Sequence, residues 1–295
     1  MNDITEVFCK VDDVCAVVDE WLAQQPRLEV SARRGPTARM SVSEILTILI
    51  MFQSSHYRDF KAYYCKHICE HRRAEFPQLL SYTRFVASMP RVLLYAWALL
   101  ILMRGECSGI SFVDSTCLKV CRVQRATQNK VFADCAALGK TSMGWFFGFK
   151  LHLVINDLGE LLAFDLTPGN CDDRSPMDSL MRGMFGKVYA DKGYISKVLR
   201  ERLYERGVEL FTPVRKNMKQ QLLEVWDKLM LRKRVVIESV IDQLKNVAQV
   251  EHSRHRSPLH FFIHLLAALI SYSFQPSKPS LNLRDHELGA LLMTN

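Results

Sequence analysis

Residues 145–166 read WFFGFKLHLVINDLGELLAFDL. In this stretch two runs of strand-forming residues, 145–155 and 161–166, flank the turn-forming sequence Asn156-Asp-Leu-Gly159. Such a pattern predicts a β-hairpin with a tight turn. Upstream, the apolar run 110–113 predicts a shorter strand. The sequence therefore predicts three consecutive strands in the middle of the chain.

Strands and helices alternate after the hairpin. The order β-β-β-α-β-α-β-α predicts a mixed sheet with helices packed on it. This is the order of an RNase H-like domain, so we predict an α/β fold with an RNase H-like mixed sheet flanked by helices. The predicted elements after the hairpin are helix 175–184, strand 188–190, helix 195–206, strand 209–214, helix 221–250 and helix 258–272.

The region before about residue 105 has a helical pattern. Residues 4–24 carry apolar side chains at helical spacing, and Ser41 with Glu44 predicts a capping box at the start of another helix. We therefore expect an all-helical N-terminal domain over residues 1–105.

The remainder of the chain forms a second predicted domain and a tail. With 295 residues, of which 48% are hydrophobic, the chain can bury a substantial core. The RNase H-like domain is predicted over residues 106–275. Residues 276–295 are polar with scattered leucines, and we expect this tail to be poorly ordered.

The charge of the chain indicates an anionic partner. Its formal net charge is +8 and its pI is about 9.0, values that favour binding to polyanions such as nucleic acid. A basic segment in the helical region fits either contact with a phosphate backbone or an ordinary solvated face, and both readings stay open. Its members are Arg58, Lys61, Lys66, Arg72 and Arg73.

The expected location is the cytoplasm. No secretory signal is visible at the N-terminus, and nine cysteines, an odd number, do not make a disulfide framework. The apolar runs 92–103 and 261–274 are shorter than the roughly 20 residues that a membrane span requires. We therefore expect buried helices there, and no membrane as a partner.

One cluster of metal-ligand residue types lies in the helical region. Cys65, His67, Cys69 and His71 are all possible zinc ligands. Alternate residues do not converge on one point if the segment is helical, and the neighbouring sequence indicates a helix. The preferred interpretation is therefore a mixed polar and buried helix rather than a zinc site.

Three acidic residues, Asp114, Asp191 and Glu238, suit metal chemistry. Asp114 follows the first predicted strand and Asp191 the fourth, and the ends of these strands are neighbours in the predicted sheet. Cleavage or transfer of a phosphodiester requires stabilised attacking and leaving oxygens, which two Mg²⁺ ions about 3.5–4 Å apart provide. Carboxylates supply the hard oxygen ligands that such ions prefer.

The surroundings of Glu238 can be tested by helical geometry. At 100° per residue, Arg234, Glu238 and Lys245 fall within about 40° of each other, beside an apolar arc. A metal ligand flanked by phosphate-binding cations would lie at such an edge of the buried zone. The alternative is a surface ion pair of Arg234 with Glu238, worth about 0.2–0.5 kcal/mol.

Each aspartate has a structural alternative as well. Asp114 could cap the backbone that follows it, and Asp191 could belong to an ordinary Asp-Lys-Gly turn. Five other acids rank lower as metal ligands, because three of them are expected in loops or turns, one near a strand end and one a helical turn beyond Glu238. They are Asp134, Asp172, Asp173, Asp165 and Asp242.

The chain contains five further segments of note, which are Phe112-Val-Asp-Ser-Thr116, Gly144–Leu153, Thr167-Pro-Gly-Asn170, Ala190-Asp-Lys-Gly-Tyr194 and Arg234-x3-Glu238-x6-Lys245. Together, these segments resemble the DDE transposases of bacterial insertion sequences. The resemblance covers roughly residues 40–275 and follows the order of the predicted strands and helices. One family position departs, because the tyrosine of the pattern Tyr-x2-Arg-x3-Glu-x6-Lys is Leu231 here.

The resemblance implies a metal-dependent transposase with Asp114, Asp191 and Glu238 as catalytic residues that bind two Mg²⁺ or Mn²⁺ ions. Its implied substrates are double-stranded DNA at the terminal inverted repeats and target DNA, bound by a homodimer. The helical domain would recognise the DNA ends. Implied DNA contacts are Arg234, Lys245, Lys192 and Lys150 on phosphates, with Tyr194 and Trp145 as candidates for stacking on a displaced base.

Two other functions stay open from the sequence. An RNase H-like nuclease would cleave nucleic acid and never join strands. A catalytically inactive DNA-binding regulator would bind DNA with a steep salt dependence and without Mg²⁺. The presence of all three acids with their cationic neighbours argues against the regulator, whereas Leu231 argues slightly for it.

Overall fold

The computed structural model describes residues 3–25, 38–214, 223–251 and 255–281. The chain divides into two compact units. The helical unit comprises Met1–Met103 with Leu244–Gln275, and the sheet unit comprises Arg104–Gln243 with Pro276–Asn295. Residues 244–275, which the sequence assigned to the RNase H-like domain, therefore cluster with the helical unit.

The regular elements follow the predicted alternation after residue 109. The α-helices are α1 (Ile4–Ala23), α2 (Val42–Gln53), α3 (Phe60–Ala62), α4 (Cys69–His71), α5 (Tyr82–Ser88), α6 (Leu93–Leu102), α7 (Met177–Leu180), α8 (Lys197–Tyr204), α9 (Val225–Lys233), α10 (Val235–Asn246) and α11 (Pro258–Ser273). The strands are β1 (Ile110–Cys121), β2 (Ala137–Thr141), β3 (Gly144–Asn156), β4 (Leu161–Pro168), β5 (Gly186–Tyr189) and β6 (Val208–Phe211). Tyr63–Ile68 is a π-helical turn, and Met89–Val92, Val123–Gln128 and Lys192–Tyr194 are 3₁₀ turns.

The start of the helical unit follows the local sequence. The side chain of Asp3 accepts a hydrogen bond from the Thr5 N–H at 3.0 Å and begins α1. The predicted capping box is present at α2: Ser41 Oγ accepts from the Glu44 N–H at 3.0 Å, and Glu44 accepts from the Ser41 N–H at 2.7 Å. The helical prediction for the N-terminal region is confirmed.

Two apolar helices form the core of the helical unit. Most side chains of α2 and α11 are buried, and these helices pack on each other. The α1 helix adds Val7, Val11, Cys15 and Val18 to this core, at the spacing that the sequence predicted. Helix α11 also contacts α6, which explains why residues 244–275 belong to this unit.

The segment around the predicted zinc ligands is helical. The π-helical turn Tyr63–Ile68 continues into α4, which contains Cys69 and His71. Among the described residues, no group of three His, Cys, Asp or Glu side chains is arranged to hold a metal ion. The helical conformation that the neighbouring sequence indicated is present.

One apolar stretch is longer than the sequence indicated. Residues Tyr82–Leu102 form a continuous helical segment of 21 residues, in which an 18-residue window has a mean hydropathy of 1.8. By length and composition alone this segment could cross a membrane, but core helices of soluble proteins can have the same length and composition. The apolar run 92–103 covers only the second part of this segment, which begins with α5 and a 3₁₀ turn.

The sheet has the mixed topology that the sequence predicted. Its order is β2-β3-β1-β5-β6. Strand β4 pairs with residues 149–155 of β3, which follow the part of β3 that pairs with β2. The hairpin of β3 and β4 is confirmed. Strand β1 runs antiparallel to β3 and parallel to β5, which is parallel to β6. The fold is therefore α/β, an RNase H-like mixed sheet flanked by helices.

Two features of the sheet differ from the prediction. Strand β1 does not end at Val113 but continues to Cys121, because its pairing with β3 extends along the whole hairpin strand. Strand β2 was missed, since Ala137–Thr141 is short and contains a glycine and no alternating β-branched residues.

The predicted helix 221–250 is two helices, and residues 221–222 lie outside the described residues. Helix α9 ends at Lys233 and α10 begins at Val235. The break precedes three consecutive β-branched residues, 235–237, which have low helix propensity. As a result Arg234 lies at the junction. Helix α7 is also shorter than predicted, ending at Leu180.

The tail was predicted to be poorly ordered. Its described part, residues 276–281, passes the β3–β4 turn, where the Leu281 N–H donates to the Asp157 carbonyl at 2.7 Å. Residues 282–295 lie outside the described residues.

Gly148 permits the close approach of β1 and β3. A Cβ at this position would meet the Leu118 carbonyl oxygen at 2.0 Å, whereas a Cβ on Gly144 of the same strand would meet nothing within 4 Å. We expect Gly148→Ala to lower the free energy of unfolding by about 2 kcal/mol or more. Gly144→Ala is the matched control, with a loss of about 1 kcal/mol from its positive φ. Urea denaturation measures both, and equal losses would contradict the steric argument.

Candidate active site

The register of the sheet brings two of the predicted acids to neighbouring positions. The last parallel pair of β1 and β5 is Phe112 with Tyr189. Asp114 lies within β1, two residues beyond this pair, and Asp191 lies two residues beyond it, after the end of β5. The prediction that these aspartates are neighbours rested on strand ends, although only the second one follows a strand end.

One guanidinium group connects two of the three acids. Arg234 donates from one terminal nitrogen to Asp114 Oδ2 at 3.1 Å and from the other to Glu238 Oε1 at 2.7 Å. The guanidinium can do so because Arg234 lies at the junction of α9 and α10, with only 14% of its side chain exposed. The Arg234–Glu238 ion pair of the structural alternative is present, but it is part of a larger cluster.

Burial controls the charge of Asp114. Desolvation raises the pKa of its carboxyl to about 6, against the opposing effects of Arg234 and of the Ser115 N–H. The charge of Asp191 raises this pKa further, which places Asp191 within electrostatic range. The Ser115 N–H donates to Asp114 Oδ1 at 2.8 Å, so the predicted local capping also occurs.

The donor set fits a divalent cation. In this structure the Arg234 guanidinium is a cationic group held between the carboxylates of Asp114 and Glu238, so this place accommodates positive charge. Carboxylate oxygens are the ligands that Mg²⁺ and Mn²⁺ prefer. Across the described residues the acids do not form a closed three-ligand cluster. Two of them share the guanidinium, and Asp191 lies nearby.

A fourth carboxylate lies beside the predicted acids. Asp173 Oδ1 accepts from Ser115 Oγ and from Lys150 Nζ, each at 3.0 Å. Lys150 Nζ also donates to the Cys171 carbonyl at 2.7 Å. The sequence ranked Asp173 low because it lies in a predicted loop. Its position three residues after the motif segment Thr167-Pro-Gly-Asn170 was the available signal.

The two aromatic candidates have opposite exposure. Tyr194 is 1% exposed, so its ring has no open face on which a base could stack. Burial, followed by the charge of Asp114, raises the pKa of its hydroxyl. Trp145 is 61% exposed, and Lys140 Nζ lies 5.6 Å from its ring centroid. Stacking by Trp145 stays a prediction.

The predicted cationic contacts have different surroundings. Lys192 is exposed next to Asp191. Lys150 is mostly buried and bonded to Asp173, so this lysine orients protein groups. Lys245 lies on α10 and forms an ion pair with Glu251 at 3.3 Å. Binding of DNA by Arg234, Lys245, Lys192 and Lys150 stays a prediction.

The contribution of Arg234 to stability can be measured against a matched arginine. We expect Arg234→Met to lower the free energy of unfolding by about 2 kcal/mol, because half-buried Asp114 loses a charge-assisted hydrogen bond. Arg174 forms a similar pair with Asp172 at the surface, so Arg174→Met should change it by less than about 0.5 kcal/mol. Urea denaturation of both variants is the measurement. A smaller loss for Arg234→Met than for Arg174→Met would contradict this account.

The chain is similar to one protein family and to a solved structure. The family model described as Transposase DDE domain matches residues 104–258. No curated protein matches the chain. Among solved structures, the chain is similar to a cryo-EM structure of a piggyBac transposase synaptic complex with hairpin DNA, with a TM-score of 0.48 and 9% sequence identity over 98% of this chain and 77% of that chain.

Proposed function

Because this chain belongs to the transposase DDE domain family, its function is in DNA transposition, and we propose that it cleaves DNA at the ends of a mobile element and joins the freed strand to target DNA. The observation that carries the proposal is the shared guanidinium, which brings Asp114 and Glu238 together next to Asp191. We also propose that the mobile element is a bacterial insertion sequence with terminal inverted repeats.

We assign Asp114, Asp191 and Glu238 as the residues that would hold two Mg²⁺ or Mn²⁺ ions. When bound, such ions stabilise the charge that develops on the attacking and leaving oxygens of a phosphodiester. The protein orients the carboxylates: the Ser115 N–H fixes one oxygen of Asp114, and the buried sheet fixes its backbone. Rigid placement of ligands is what this chemistry requires.

Positive groups around the acids would bind the DNA backbone. Arg234 is close to the carboxylates and can donate two parallel hydrogen bonds to a phosphate. Lys192 is exposed beside Asp191, and Trp145 with Lys140 forms an exposed aromatic and cationic pair. We propose that these groups hold target and end DNA, that the protein acts as a homodimer on DNA and that it works in the cytoplasm.

A cleavage and joining assay tests the proposed function. Labelled DNA from the borders of the coding segment is incubated with the protein and target DNA, with Mg²⁺ or with EDTA. We expect nicked and joined products with Mg²⁺ only. Nicks without joined products would indicate the RNase H-like nuclease, and salt-dependent binding without either product would indicate the regulator.

A further inference from the structure

A cavity of about 540 Å³ lies within the helical unit. It is lined by the end of α2, by the residues around α3 and α5, and by residues on both sides of the start of α11. Sites for small organic groups have volumes of about 300–1,000 Å³. The cavity therefore has room for a group of that size.

The lining contains several aromatic rings. The Phe60 ring lies 5.1 Å from the Phe52 ring and 5.3 Å from the buried His264 ring, centroid to centroid. Tyr57 and Tyr82 also line the cavity. Flat aromatic surfaces of this kind bind planar groups, and nucleobases stack on them without sequence preference.

Neutral polar groups accompany the rings. Gln53 Nε2 donates to His264 Nδ1 at 3.2 Å, and burial lowers the pKa of His264 well below its usual range. Burial likewise lowers the pKa of His255 to about 4. The Oε1 atom of Gln249 is buried and has no hydrogen-bond partner within the described part of the chain. An N–H group of a ligand would satisfy it.

Gln249 also has an unusual backbone. Its φ is +51°, a left-handed conformation that favours glycine or asparagine where a helix ends. A glutamine there keeps an amide side chain at the cavity in spite of the backbone cost. Strained residues of this kind occur at ligand sites.

Cationic side chains complete the lining. Arg58, Lys61 and Arg256 line the cavity and are exposed, and Lys61 Nζ lies 5.8 Å from the Tyr82 ring centroid. The carboxylate among the described lining residues is Asp59, whose Oδ2 accepts from the Ala62 N–H at 3.0 Å. Positive charge around an aromatic cavity suits a planar base attached to a phosphate.

We propose that this cavity binds one unpaired nucleotide of DNA, with the base against the aromatic rings and the flanking phosphates on Arg58, Lys61 and Arg256. The inference rests on the proposed function in one respect, namely that the ligand is DNA. It adds that the helical unit recognises an extruded or single-stranded nucleotide, in addition to any contact with the duplex backbone.

The test compares three fluorescent DNA probes by anisotropy titration in EDTA. All three probes contain the same duplex. The first is blunt, the second carries a short single-stranded extension, and the third carries the same extension with abasic units. We expect the extension to increase affinity about tenfold over the blunt duplex, and the abasic units to remove that gain. A free deoxynucleoside monophosphate should compete only weakly, because it lacks the flanking phosphates.

Two lysines of one helical segment provide matched variants. Lys61 lines the cavity, whereas Lys66 is exposed on the same segment and does not line it. We expect Lys61→Ala to reduce the affinity for the extended probe about fivefold and Lys66→Ala to leave it within about twofold. Gln249→Leu should reduce the preference for a base over an abasic unit. If Gln249→Leu fails to fold, Lys61→Ala still tests the inference.

Several results would overturn the inference. They are equal affinities for the blunt and extended probes, an unchanged gain with abasic units, equal effects of the two lysine variants, and full displacement by the mononucleotide. Because the titration contains no metal, its failure is separate from failure of the cleavage assay. Nicked and joined products together with equal affinities would reject the cavity and leave the proposed function standing.

Discussion

Asp114→Asn is expected to reduce Mg²⁺-dependent nicking of DNA by at least about a hundredfold. Asparagine keeps the volume of the side chain but loses the negative charge that a divalent ion requires. Loss of several kcal/mol of charge stabilisation corresponds to at least two powers of ten in rate, at about 1.4 kcal/mol for each. Asp191→Asn and Glu238→Gln should act in the same direction.

Asp165→Asn is the matched control for this prediction. The Oδ1 atoms of Asp165 and of Asp114 each accept the N–H of the following residue at 2.8 Å, and both residues lie on strands of the same sheet. The control should retain its nicking rate within about twofold, because the acids that accept from the Arg234 guanidinium are Asp114 and Glu238. Full activity of Asp114→Asn, with unchanged circular dichroism, would remove Asp114 from the site.

Asp227→Ala is expected to cost about 3 kcal/mol of unfolding free energy. Asp227 is buried, and its Oδ1 accepts from the Tyr189 hydroxyl at 2.8 Å and from Lys187 Nζ at 2.9 Å. Removing Asp227 deprives the Tyr189 hydroxyl and Lys187 Nζ of these two bonds. Breaking a fully buried pair in this way costs about 3–5 kcal/mol. Lys187 is partly exposed, so the lower end applies.

Glu224→Ala separates the effect of burial from that of charge. Glu224 pairs with the same lysine at 3.7 Å, but its side chain is 79% exposed. Its removal should change the free energy of unfolding by less than about 0.5 kcal/mol. Urea unfolding of the two variants, followed by circular dichroism, gives the difference. Losses of similar size for Asp227→Ala and Glu224→Ala would show that burial of this cluster does not matter.

The sequence predicted most helices and strands, but it predicted their first and last residues less accurately. The hairpin of β3 and β4, the helical N-terminal region and α11 follow from local patterns of hydrophobicity and turn residues, which are properties of neighbouring positions. The extension of β1 to Cys121 and the existence of β2 depend on pairing with β3. Pairing between distant segments is not contained in a local pattern.

In the candidate site too, local relations between residues were predicted and contacts between distant residues were not. Helical spacing correctly placed Arg234 next to Glu238, a local relation. The bond from Arg234 to Asp114 joins residues 120 positions apart, and only tertiary packing could show it. Burial explains the remaining differences, since it makes Tyr194 inaccessible and makes Lys150 a partner of Asp173. The burial of these two side chains could not be read directly from the sequence.

The parallel pairing of β1 with β5 has a consequence for the order of folding. The β3–β4 hairpin closes through a short turn, and hairpins form within about 1–10 μs. The pair of Phe112 with Tyr189, by contrast, requires closure of a long loop, which slows folding. We therefore expect the acidic cluster to form late. A chain still emerging from the ribosome would carry the hairpin well before Glu238 reaches Asp114, so the proposed cleavage activity would arise only when folding is nearly complete.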